Sequence, residues 1–97
     1  NAEFGKGLQL LKEAETFFRS TEDEQGLTNT MLLVGELFFE RENYRQAISS
    51  FEKSYDLAEK SENQPLKFAS RTGLAGSYMY IAQRKRFFSQ AEANEYF

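Results

Sequence analysis

The stretch MLLVGELFFERENYRQAISSF, residues 31–51, decides how this chain is read. Its opening is apolar almost all the way round a helix, with Met31, Leu32, Leu33, Val34, Leu37, Phe38 and Phe39. A helix of that kind needs cover on more than one side. The whole run, 25–41, is longer than a buried strand of about 3–10 residues. Arg41-Glu42-Asn43 then breaks the pattern, and Asn43 is a good N-cap for a second helix. Over 44–62, Ala47, Ile48, Phe51, Tyr55, Ala58 and Glu59 return at helical spacing with charged residues opposite. The stretch is a helix, a tight polar turn and a second, amphipathic helix.

Working outward, residues 6–20 place Leu8, Leu11, Ala14, Glu15 and Phe18 on one face, with Leu10 and Phe17 widening the stripe. Thr21-Glu22-Asp23-Glu24 is a polar connection whose acids suit the start of the next helix. Downstream, Ser61-Glu62-Asn63-Gln64-Pro65 stops one helix and starts another, with Pro65 in a first turn where its missing N–H does no harm. Residues 65–83 carry Leu66, Phe68, Ala69, Leu74, Ala75, Tyr78, Met79 and Ile81. Gly73 and Gly76 lie inside that helix, each costing about 1 kcal/mol relative to Ala, which points to close approach of a neighbour. Arg84-Lys85-Arg86 is expected to form a turn, and 87–97, with Phe87, Phe88, Ala91 and Phe97, a short last helix. No hairpin dipeptide and no β-branched alternation is present. The expectation is an all-α domain of about five helices with antiparallel neighbours.

Composition narrows the function. The 97 residues hold no Cys and no His. That removes disulfides, thiolate nucleophiles, imidazole acid–base chemistry and the common zinc and haem ligand sets. Ten Phe and five Tyr supply core material, and one Pro with six Gly argues against a linker. Net charge is −3, but residues 1–63 carry −6 and residues 64–97 carry +3. A two-ended charge of this kind favours head-to-tail contacts. It does not suit a nucleic-acid binder, and Arg84-Lys85-Arg86 alone is too small a basic cluster for one. No apolar run approaches the roughly 20 residues of a membrane span. The carboxylates at Glu13/Glu15, 22–24 and Glu40/Glu42 have no binding-loop context, so no metal, cofactor or catalytic site is expected.

The chain also repeats itself. Tyr44-x-x-Ala47-x-x-x-Phe51 is echoed 33 residues earlier by Leu11-x-x-Ala14-x-x-x-Phe18, and 44 residues later by Phe88-x-x-Ala91. Extended backwards, the central copy reads Met31-x-x-Val34-Gly35-x-x-Phe38. Together these spacings resemble the tetratricopeptide repeat. Met31, Val34, Gly35, Phe38, Ala47 and Phe51 match its positions. Ser54 and Glu59 depart from its usual Ala and Pro, and the late Pro65 resembles variants with a period of about 40 residues. Glu95 stands where Phe51 would be echoed. The competing reading is a plain antiparallel bundle.

The resemblance implies one domain over 1–97. Residues 6–20 would be the second helix of one repeat, 25–62 a full repeat and 65–97 a degenerate one. They would stack as a solenoid with a concave face. Taking Gly35 as the eighth repeat position, that face would carry Asn29, Leu32, Glu36, Phe39 and Glu40. Taking Gly76 likewise, it would carry Ser70, Gly73, Ser77 and Tyr80. The partner-binding candidates are thus Asn29, Leu32, Glu36, Phe39, Ser77 and Tyr80. Members of the family that hold a terminal carboxylate use Lys, Arg and Asn here, and only Asn29 fits. A more apolar or basic protein or peptide partner is expected. The chain is expected to be a segment of a longer regulatory or scaffolding protein, with Asn1-Ala2 left over from a vector. Its first and last helices look uncapped, so self-association is expected as well. A spacer whose groove binds nothing is the alternative.

Overall fold

In a computed structural model, which describes residues 2–96 and their side chains as far as Ser89, every element is a helix. The helices are α1 (Ala2–Ser20), α2 (Glu24–Glu40), α3 (Tyr44–Lys60) and α4 (Gln64–Tyr96). Three turns join them and all three are built alike. Glu22, Glu42 and Glu62 sit in the left-handed region at φ 56°, 60° and 55°. The next residue, Asp23, Asn43 or Asn63, donates its N–H back to Phe18, Phe38 or Ala58 at 2.9, 2.9 and 2.8 Å. The glutamate N–H reaches the carbonyl of Arg19, Phe39 or Glu59. Each preceding helix is therefore closed by a Schellman motif with Glu where Gly is usual. The same Asp or Asn caps the following helix, accepting from Gly26, Gln46 or Leu66 N–H at 2.9, 3.4 and 3.1 Å. One residue thus ends one helix and begins the next, at 23, 43 and 63.

The fourth turn is not there. Arg84-Lys85-Arg86, expected to form it, lies within the continuous 33-residue α4, so there are four helices among the described residues rather than five. The reason is local. Ala82-Gln83 stands twenty residues after Glu62-Asn63, without the acid and the cap that make the other turns. Arg and Lys are good helix formers, so nothing stops the helix. The expected α1 also starts earlier, at Ala2. Phe97 and the side chains of Ala91 and Glu95, used in the downstream echo, lie outside the described residues.

The core is centred on α3. Tyr44, Ala47, Ser50, Phe51, Ser54 and Ala58 are all buried along one face. Phe51, 2 % exposed, sits between two glycines: a Cβ built on Gly35 of α2 or on Gly73 of α4 would lie 2.6 Å from its ring. Those glycines let α2 and α4 both close on one aromatic, whose burial contributes about 1.5–3 kcal/mol. Below it, the Ser54 and Ser70 hydroxyls meet at 2.6 Å; one donates to the other, and the acceptor gives its own proton to a carbonyl of its helix, Phe51 for Ser54 or Leu66 for Ser70, so both oxygens are partnered.

Helix α2, apolar on most sides, is touched by α1, α3 and α4, which is the cover its composition requires. Among the described residues, helix α1 touches α2 alone and has no fully buried residue. It packs through Phe4, Gly7, Leu8, Leu11, Ala14 and Phe18, with Phe4 edge-on to Phe38 and the Phe18 ring against Gly26. Leu10 and Phe17, expected to widen that stripe, instead face solvent at 62 % and 59 % exposure. The molecule measures 60 × 33 × 14 Å with a radius of gyration of 16.3 Å, against about 13 Å for a compact domain of this length. Much of the length is α4, whose residues 82–89 are all exposed.

Candidate functional site

Between α2 and α4 the surface folds into a groove of about 560 Å³. Phe51, packed against Gly73, lies at its base, and the Phe39 ring packs 3.5 Å from where a Gly76 Cβ would be. The α2 wall adds Glu36 and Glu40, and the α4 wall Phe68, Ala69 and Thr72. Phe68 stands at the mouth, 73 % exposed. The groove therefore pairs an aromatic floor with two carboxylates on one lip and no cation among its lining residues.

At one end an aromatic cluster ties three helices together. Tyr44 and Tyr80 stack at 5.4 Å and 9°, and Phe39 lies edge-on to both, at 5.3 and 5.5 Å. Arg84 lies 5.9 Å over the Tyr44 ring and 3.8 Å from Glu42. Burial, and then the Glu42 carboxylate, push the Tyr44 phenol above its ordinary pKa, with Arg84 acting in the opposite direction. Beyond the cluster lies a second hollow of about 590 Å³, where Arg45, Arg84 and Lys85 surround Tyr44 and Phe88.

The expected binding residues separate into groups. Glu36 and Phe39 line the groove, together with Glu40. Asn29 is exposed and Leu32 half-buried on the same helix, outside the groove lining. Tyr80 stacks in the aromatic cluster, 43 % exposed. Ser77, like Ser70, is fully buried, and its hydroxyl donates to the Gly73 carbonyl at 2.8 Å. Neither serine opens onto the groove. The α4 lining is instead Phe68, Ala69, Thr72, Gly73 and Gly76.

The difference is a register of one residue. Matching Gly76 to Gly35 assumes an offset of 41, whereas the capping residues Asp23, Asn43 and Asn63 recur every 20, which sets α2 to α4 at 40. At 40, Asn29, Leu32 and Glu36 map to Ala69, Thr72 and Gly76, all three in the groove. One residue turns a helical position by about 100°, which carries Ser70 and Ser77 round into the core. The signal was present in the sequence as Glu-Asp or Glu-Asn at 22–23, 42–43 and 62–63.

Among the described residues there is no carboxylate cluster fit to hold a metal ion, and no helix long and apolar enough to cross a membrane. Comparison with family models, curated proteins and solved structures gives no significant match.

Proposed function

We propose that the chain is a protein-interaction module of tetratricopeptide-like construction, which receives a peptide or helix of a partner in the α2/α4 groove. The observation that carries this reading is the groove itself: an aromatic base of Phe51 and Phe39 packed against Gly73 and Gly76, exposed Phe68 at the mouth, and Glu36 and Glu40 on one lip. Apolar anchors with a few placed polar groups are what a peptide site requires. The 20-residue recurrence of identical turns supports a repeat of two helices every 40 residues. The carboxylate lip favours a partner with an apolar anchor flanked by Lys or Arg.

The test is a screen of basic–apolar peptides by fluorescence anisotropy, repeated with the Glu36→Lys/Glu40→Lys variant. Both residues are exposed, so helical content is expected to stay unchanged while affinity falls at least about tenfold, or about 1.4 kcal/mol. Affinity unchanged by the charge reversal removes the groove from the binding site. The second reading is self-association, and a separate observation favours it: Leu10, Phe17, Phe68 and Met79 are between 53 % and 73 % exposed, on the first and last helices.

A further inference from the structure

The 40-residue register assigns a role to those exposed residues. Forty residues link α1 to α3 and α2 to the first half of α4. On α2, Thr28 is fully buried and Gly35 lies against Phe51 of the packed α3. The equivalent positions on α4 are Phe68 and Ala75, both exposed, with exposed Met79 at the position of Phe39. Phe68, Ala75, Met79 and Ala82 form one stripe on the side of α4 turned away from buried Ser70 and Ser77. Ala75 keeps a small side chain where Gly35 admits a helix.

The complementary half is on α1. Phe4, Gly7, Leu11, Ala14 and Phe18 correspond to Tyr44, Ala47, Phe51, Ser54 and Ala58 of α3, yet where the α3 residues are buried those of α1 are only half-buried. Exposed Leu10 and Phe17 correspond to buried Ser50 and half-buried Leu57. Helix α3 is covered by two helices and α1 by one. The molecule therefore presents at its two ends the two halves of a contact it already makes once internally, between α2 and α3. Charge does not oppose the contact: α1 balances Glu3, Glu13 and Glu15 with Lys6, Lys12 and Arg19, so it meets the basic α4 as a neutral helix.

We infer that copies of this chain stack head to tail, with α1 of one copy lying antiparallel on the Phe68/Ala75/Met79 stripe of α4 of the next, as α3 lies on α2. The contact is heterologous, so it leaves a free face at each end and assembly is open. This deepens the self-association reading; it leaves Glu36 and Phe39 of the groove unused and shares with the groove only Phe68 at its mouth.

Sedimentation velocity tests it with two variants, Phe17→Glu on the α1 face and Met79→Lys on the α4 face. Both residues are exposed, so helical circular dichroism should be retained; Leu10→Glu and Ala75→Lys, at exposed positions outside the groove lining, replace them if it is not. The unaltered chain is expected to form species that grow past the dimer with concentration. Each variant alone is expected to sediment as a single chain. Their equimolar mixture is expected to give a dimer and nothing larger, because the first variant keeps a working α4 face and the second a working α1 face. An unaltered chain that stays monomeric, an assembly that closes at two copies, or variants that do not restore one another on mixing each overturns the inference.

Discussion

At the scale of single residues, Phe51 and its two glycines carry most of the architecture. A Cβ at Gly35 would sit 2.6 Å from the Phe51 ring, and the ring cannot retreat because Gly73 confines it equally on the other side. Gly35→Ala is therefore expected to destabilise the fold by about 1–3 kcal/mol, despite the better helix propensity of Ala. Gly5 in α1 has nothing within 4 Å of its would-be Cβ. Gly5→Ala should leave stability unchanged or raise it by up to about 1 kcal/mol. Urea unfolding of the two variants side by side separates packing from propensity. Equal effects would remove the ring from the explanation.

At the scale of the element, the three turns decide where helices end. Each holds a glutamate at φ between 55° and 60°, a conformation that favours Gly. Glu22→Gly and Glu62→Gly are each expected to stabilise the protein by about 1 kcal/mol, roughly additively because the two turns share no partner. A fall in the thermal midpoint would mean that the glutamates contribute through charge at the next helix start more than they lose in backbone strain. The same motif explains α4. With Ala82-Gln83 in place of Glu-Asp or Glu-Asn, no cap competes with helix propagation, and the helix runs on through Arg84-Lys85-Arg86.

At the scale of the whole molecule, the aromatic cluster of Phe39, Tyr44 and Tyr80 joins α2, α3 and α4 at one end. Tyr44 is 8 % exposed and its phenol is held neutral above the ordinary pKa, first by burial and then by Glu42. A raised pKa in the folded state means that the stabilisation is complete below the unfolded value and is lost as pH rises through the folded one. The thermal midpoint is expected to fall above about pH 10, and to fall less in Tyr44→Phe, which has no proton to lose. Parallel pH profiles for the two proteins would remove Tyr44 as the cause.

Much of this protein was legible as pattern. The all-helical class, the apolar run of α2 that needed cover on several sides, and Gly73 as a point of close approach all derive from periodicity and residue size, which are local properties. Glu36, Phe39 and Glu40, which the repeat resemblance puts on one face of α2, line the α2 wall of the groove. The matching wall of α4 was not legible, because Gly35 and Gly76 suggested an offset of 41 and a single residue rotates a helix by about 100°. The direction of Leu10 and Phe17 was likewise hidden: hydrophobicity places a residue in a stripe, but which flank is covered depends on how many neighbours the helix has. Ser70 and Ser77 are polar in sequence and buried in the fold, their hydroxyls satisfied by carbonyls one turn back. Caps and periodicity act within a few residues and can be read along the chain. Burial and groove lining depend on contacts between residues far apart in it, and those exist only once α2, α3 and α4 have closed on Phe51.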